Sequence, residues 1–515
     1  MNSSAEANNL ETEKGLDQPA EPTKGPVAIP ASSEFKQKTV RGGALTMLGQ
    51  GVGMVIQIST TVILARLLLP TDYGLQSMVL TLTAFFSLFK DAGLSVASVQ
   101  REDLTNDQVS TLFWINIGLG TLLTILVAAA APLLAAFYKE PRVLWLTVAS
   151  ASIFFFNSLS IQHRALLDRS MRFATNAKID ILCSCVSAFI AIGMAALKFG
   201  YWSLICQNIS LPLIGTIAVW IAMPWVPGKP RWTPELKSMV RFGGTVTLNS
   251  VVVYVAYNVE KILLGRYWGA APLGIYGRAY QLATLPVQQL IGAVHPIAFS
   301  VLSRMQKERE RLHGAYLKSL SLIVSLTIPV VISSGLFANE IVAVVLGKKW
   351  AEAAPVLRLL APTVMFLALV NPFSWFLRAT GQVRRSLNTA FLICPVVILG
   401  IVAGLRYGPR GVAFGYSSAM VLLFVPVVKW ATYGTGITTR AYWNAIKRPL
   451  CAGFLGGLAA WLLREWYANK LESLPLLVLE LTISCVVYAG VLLFVMGDKD
   501  FYFDLAKQIL PRKQN

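Results

Sequence analysis

Charged residues thin out along this chain in a regular rhythm. Windows of about twenty residues with almost no Asp, Glu, Lys or Arg recur along it, and at 1.5 Å per residue each matches the ~30 Å hydrocarbon core of a bilayer. They predict membrane-spanning helices near 42–65, 74–95, 110–137, 142–162, 174–197, 201–223, 240–265, 274–300, 315–346, 353–377, 386–405, 411–431, 448–464 and 474–496, the ninth partly interfacial. The expected fold class is therefore an all-α integral membrane protein of about fourteen transmembrane helices, with almost no soluble domain.

Composition agrees. Of 515 residues, 55% are hydrophobic and 14% charged, with a mean hydropathy of +0.59, so the bilayer is the main solvent. Residues 1–38 carry Glu6, Glu11, Glu13, Asp17 and Glu21 with several prolines and no apolar run, which reads as a disordered cytoplasmic tail rather than a signal peptide. The net charge of +19 forms no nucleic-acid-binding patch; it lies in clusters between apolar windows. Lys and Arg divide 31 to 14 between the two faces, in favour of the face holding the N-terminus. By the positive-inside rule both termini are cytoplasmic. Clusters such as Arg164, Arg169 and Arg172, or Lys229, Arg231, Lys237 and Arg241, are accounted for as anchors to anionic membrane lipids.

A shift of 200 residues aligns Val40, Arg41, Gly43, Leu48, Val52, Val55, Leu64, Arg66 and Gly74 with Val240, Arg241, Gly243, Leu248, Val252, Val255, Leu264, Arg266 and Gly274. The arginines and glycines at both helix ends carry the match, because apolar helices share leucines and valines by chance. Segment 7 starts an even number of crossings after segment 1, so the halves are expected to be parallel repeats of six helices each. The expected organisation is a tail (1–38), an N-terminal lobe (39–235), a C-terminal lobe (236–435) and two added helices (436–515).

Polar residues in the spans fall on stripes. On segment 7, Thr247, Ser250, Tyr254, Asn258 and Lys261 share one face, and Thr46, Gln50, Gln57 and Thr61 do so on segment 1. Such faces turn away from lipid. Glu260 and Lys261 stand about 100° apart on a helix, so each needs another partner, or snorkels to the outer interface beside Arg266. Segment 8 adds Arg278, Gln281, Gln288 and His295; the histidine, ahead of Pro296, reads as structural. Lys90 and Asp91 read as an interfacial ion pair.

Other chemistry is missing. No GxxxxGK[ST] stretch exists, Gly347-Lys348-Lys349 lacking both the earlier glycine and the hydroxyl, so ATP does not power the protein directly. The six cysteines all fall in apolar windows, and neither disulfides nor a metal site are expected. The outer connections are too short for the acceptor-binding domain expected of a membrane glycosyltransferase or polymerase, so transport rather than an enzyme activity is the expected class.

Three stretches, Ile63 to Gly74 (ILARLLLPTDYG), Asp91 to Arg101 (DAGLSVASVQR) and Arg164 to Phe173 (RALLDRSMRF), together with Glu260 to Pro286, resemble Wzx-type polysaccharide flippases. The resemblance covers about residues 38–435. It implies the multidrug, oligosaccharidyl-lipid and polysaccharide exporter superfamily: two six-helix lobes, alternating access, a bacterial inner membrane, no cofactor, and an undecaprenyl-diphosphate-linked oligosaccharide moved to the periplasmic leaflet. A polysaccharide polymerase and chain-length machinery are the implied protein partners. Glu260 departs from the family's more usual aspartate, and the last two spans match no motif. With that substrate, Lys261 and Arg278 are expected to hold the diphosphate and Arg266 to stand nearer the interface, with Glu260, Asn258, Gln281, Gln288 and Gln57 completing the polar lining. The alternatives are a cation drug exporter of the same superfamily, which needs buried carboxylates, and, out of class, a polysaccharide polymerase or ligase.

Overall fold

The computed structural model describes residues 32–89, 105–230, 254, 258–306, 308–467, 470–497 and 502. Fifteen α-helices account for nearly all of them. The first half comprises α1 (Ser32–Leu67), α2 (Pro70–Ser87), α3 (Asn106–Tyr138), α4 (Arg142–Arg169), α5 (Phe173–Ala196) and α6 (Tyr201–Ala222). The second comprises α7 (Val259–Trp268), α8 (Ala270–Arg304), α9 (Arg309–Leu336), α10 (Ala338–Val345), α11 (Ala353–Ala379), α12 (Val383–Gly404) and α13 (Gly408–Thr432), followed by α14 (Thr439–Tyr467) and α15 (Ser473–Gly490). No strand occurs among the described residues.

Eleven described stretches are long and apolar enough to cross a bilayer, and one of them, Phe391–Thr432, runs through both α12 and α13. The other two expected crossings are α2 and the span over 240–265, most of which lies outside the described residues. The chain is thus a multi-pass, all-α membrane protein. One expectation changes in detail. The stretch 315–346 is not a single span but α9 followed by the separate short helix α10, the chain turning at Phe337.

Local chemistry places several boundaries. Thr105 caps α3 reciprocally with Gln108, its hydroxyl accepting from the Gln108 N–H at 3.3 Å while Gln108 Oε1 accepts from the Thr105 N–H at 3.2 Å. Pro70 opens α2, where its missing N–H is not needed, and Asp72 Oδ2 accepts from the Leu69 N–H at 2.9 Å.

The repeat is visible in the helices themselves. α2 starts at residue 70 and α8 at residue 270, while the α4–α5 and α11–α12 turns fall 210 apart, each centred on a positive φ, at Met171 (55°) and Gly381 (75°). The offset grows because α10 and the turn Lys348–Trp350 are extra in the second half. Much of the aligned stretch itself, Val240 to Val255, lies outside the described residues.

α2 and α8 meet reciprocally. A Cβ on Gly74 would stand 1.7 Å from the Ala270 carbonyl oxygen, and one on Gly274 would stand 1.9 Å from that of Pro70; a Cβ on Gly277 would lie 3.4 Å from Ser77 Oγ. Residues 70, 74 and 77 thus face 274, 270 and 277, so the two helices run in the same direction about a local two-fold axis. With lipid outside as apolar as the interior, such small-residue crossings let backbones approach and gain dispersion contacts. α12 and α13 use the same device, Gly404 and Gly411 each placing a Cβ position 2.1 Å from the other's carbonyl oxygen.

The largest buried cluster spans both halves at this end of the molecule, joining Leu64, Tyr73 and Leu75 to Val342, Leu346 and Trp350. Other buried clusters stay within one half, such as Leu302, Tyr316 and Phe376, or Leu167, Ile179 and Val219. The halves are therefore joined where α2 and α8 begin, and Tyr254 adds a contact farther along α2, its hydroxyl donating to the Thr81 carbonyl at 2.7 Å and its ring lying 6.0 Å from that of Phe85.

Candidate functional site

Between the halves lies a cavity of about 1670 Å³. At its closed end stand Leu64, Tyr73, Leu204 and Arg278; it extends past Gln57 and Gln281 to Gln50, Phe173 and Ala293. Its described lining is rich in amides: Gln50, Gln57, Gln76, Gln207, Asn208, Gln281 and Gln289. It contains one charged side chain, Arg278, and no carboxylate.

Arg278 is held by neutral groups. Its guanidinium lies 3.7 Å from the centroid of the Tyr73 ring, donates to Gln281 Oε1 at 2.5 Å and reaches Gln76 Oε1 at 3.5 Å. The spacing from 278 to 281 is one helical turn on α8, so both heads face the same way. A cation stacked on a ring and bonded to amides, with no counter-ion among the described residues, keeps most of its charge available to an anion that enters.

The other candidate residues divide. Gln57 and Gln281 line the cavity with Arg278. Gln288 is exposed; its neighbour Gln289 is the one in the lining. Lys261 is outside the described lining: its Nζ donates to Asn258 Oδ1 at 2.9 Å and lies 5.4 Å from the Tyr280 ring centroid, while Asn258 Nδ2 donates to the Tyr254 carbonyl. Glu260 is buried on α7, and neither of its oxygens has a hydrogen-bond partner among the described residues. Arg266 stacks 5.6 Å from the Phe137 ring, at the far end of α3. His295 packs against the rings of Phe299 and Trp375, the latter at 4.4 Å. Thr247, Ser250, Lys90 and Asp91 lie outside the described residues.

Sequence reasoning missed Tyr73, Gln76, Gln207, Asn208 and Gln289. The adjacent amides Gln207 and Asn208 were the findable signal, since polar side chains within an apolar span turn toward a bundle interior or a wet cavity; Asn208 Nδ2 has no hydrogen-bond partner among the described residues. Tyr73 and Gln76 gave no such signal, because they matter only through the crossing of α2 with α8.

Comparison with known proteins agrees with this architecture. Residues 63–355 match the family model described as polysaccharide biosynthesis protein. The chain is 26% identical over 416 residues to the teichuronic acid biosynthesis protein TuaB of Bacillus subtilis (strain 168), covering 79% of this chain and 85% of TuaB. It is 25% identical over 465 residues to the lipopolysaccharide biosynthesis protein WzxC of Escherichia coli (strain K12), covering 88% and 89%. Its fold is similar to that of a solved structure titled lipid II flippase MurJ, inward closed conformation, with a TM-score of 0.70 at 15% identity, covering 90% of this chain and all of that one. More than half of the chain matches the family model, the named relatives are covered nearly end to end, and the helices carry the repeat its motifs led one to expect: the protein is a member of the polysaccharide biosynthesis protein family.

Proposed function

We propose that the protein is a flippase that moves an undecaprenyl-diphosphate-linked oligosaccharide from the cytoplasmic to the periplasmic leaflet of a bacterial inner membrane by alternating access, for assembly of a surface or exported polysaccharide. The observation that carries this reading is the cavity between the halves, whose one described charge is the Arg278 cation among seven amides. A diphosphate supplies the anion for Arg278, and sugar hydroxyls suit amides, which both donate and accept. The names of TuaB and WzxC point to the same class of cargo.

The 31-to-14 bias of Lys and Arg assigns both termini to the cytoplasm. The end where α2 and α8 begin is then periplasmic and closed, and the cavity faces the cytoplasm. On this reading 39–235 and 236–435 are the rocking lobes, 436–515 is an addition, and the flipped unit passes to a polymerase with its chain-length machinery. A cation exporter is disfavoured because Glu260 is outside the cavity's described lining.

Export should be compared for Arg278→Lys and Arg278→Gln in a deletion strain at matched membrane abundance. A charge-assisted contact to phosphate contributes about 1.5–3 kcal/mol, so the glutamine variant should lose about tenfold or more, with partial retention by lysine. Full export by Arg278→Gln refutes the anion site.

A further inference from the structure

The last carbonyls of α1 lack partners within their own helix. The Leu69 N–H, the natural donor to Ala65, is taken by Asp72 Oδ2, and the donor position for Arg66 is occupied by Pro70, which has no N–H. Both carbonyls are instead capped from the other half of the protein. Trp350 Nε1 donates to the Ala65 oxygen at 2.9 Å, and Lys349 Nζ donates to that of Arg66 at 3.4 Å. The Arg66 guanidinium returns a bond to the Val344 carbonyl at 3.0 Å. Trp350 is fully buried, and its ring meets the Tyr73 ring edge-on at 5.2 Å. Tyr73 is also the ring on which Arg278 lies.

One continuous series of contacts therefore runs from the cavity to the closed end: Arg278, Tyr73, Trp350, Ala65. The turn Lys348–Trp350 belongs to the segment that the second half has and the first lacks, so this fastening is one-sided. The phenol oxygen of Tyr73 has no hydrogen-bond partner among the described residues, so the ring face and edge carry its contacts to Arg278 and Trp350.

We propose that the Lys348–Trp350 turn is the latch of the closed end, and that Tyr73 is a positioning residue that relays occupancy of Arg278 to it. An anion in the cavity draws the guanidinium off the Tyr73 ring, since a charge-assisted hydrogen bond is stronger than a cation–ring contact. Freed of that cation, the ring shifts, Trp350 loses the edge that fixes it, and the α1 carbonyls exchange their caps for water as the end opens. Loaded substrate then opens the outer end in preference to an empty cavity, which couples cargo to the conformational step. The relay rests on the reading of Arg278 as the anion site; the latch does not.

The test uses Thr61→Cys, a cavity-lining position on α1, in a background without the six native cysteines. Right-side-out membrane vesicles, loaded with inorganic pyrophosphate or with chloride, are treated outside with a membrane-impermeant maleimide. Labelling at residue 61 then reports the fraction open at the latched end, and equally fast labelling of every variant in inverted vesicles shows that each is folded. Trp350→Phe keeps a ring but loses the bond to Ala65, and without pyrophosphate should label about fivefold faster, the effect of one neutral hydrogen bond. Pyrophosphate should speed labelling of the parent and of Tyr73→Phe, and leave Tyr73→Leu, already fast, unchanged. Labelling of Trp350→Phe at the parent rate overturns the latch. A pyrophosphate response in Tyr73→Leu equal to that in Tyr73→Phe overturns the relay. Pyrophosphate inert on the parent, with Trp350→Phe still fast, overturns the anion site and the relay with it.

Discussion

Gly74→Ala tests the crossing of α2 and α8 most directly. The added Cβ would stand 1.7 Å from the carbonyl oxygen, 2.4 Å from the carbonyl carbon and 2.7 Å from the Cα of Ala270. All three atoms are backbone, so no rotamer change relieves the overlap. Restoring roughly 3.5 Å of van der Waals separation parts the helices by on the order of 2 Å. That gap falls within the layer holding Tyr73, Trp350 and Arg278, so the closed state loses its seal. Overpacking of this kind costs about 1–3 kcal/mol, which shifts the closed-to-open equilibrium by about 5- to 150-fold. Outside labelling of Thr61→Cys should rise accordingly, and polysaccharide export should fall at matched membrane abundance, because a transporter that cannot close one end stalls. Gly274→Ala should do the same through the Pro70 carbonyl at 1.9 Å, and the double variant should cost less than the sum, since the first alanine has already parted the helices. Gly118→Ala and Gly193→Ala, with nothing within 4 Å among the described residues, are the matched controls. If Gly74→Ala exports and labels as the parent does, the close crossing is not what seals this end.

Two further outcomes are expected. Ser77→Cys with Gly277→Cys places thiols across the local two-fold axis, where a Cβ on residue 277 lies 3.4 Å from the present Oγ, close to the roughly 3 Å that separates one Cβ from the partner's sulfur in a disulfide. Oxidation should stop export and reduction restore it, and export that survives complete cross-linking would refute motion at this crossing. Arg464 on α14 bridges buried Glu340 on α10, at 2.5 Å, and buried Glu480 on α15, at 3.5 Å. Arg464→Leu leaves both carboxylates without their cation and should destabilise the docking of α14 and α15 by about 3–5 kcal/mol, read as a lower melting temperature, with Arg464→Lys intermediate; an unchanged melting temperature removes that pair as the fastening.

Hydropathy alone determined the membrane class and most of the spans, because each follows from transferring a local stretch of chain into a bilayer and needs no partner. The repeat was legible from Arg66 and Gly74 against Arg266 and Gly274 for a related reason: special residues at helix ends mark backbone events that recur in each copy. Arg278, Gln281 and Gln57 could be named as polar residues that must avoid lipid. Which polar residues share one cavity is a different matter. Lys261 lies on a polar stripe and is outside the described lining, whereas Gln289 lies in it and Gln288 does not, because one helical step of about 100° changes the neighbour a side chain meets. Tyr73 and Trp350 are 277 positions apart and unremarked in sequence; they matter because Pro70 and Asp72 leave the end of α1 with unpaired carbonyls, and only the folding of the second half against the first brings a donor to them.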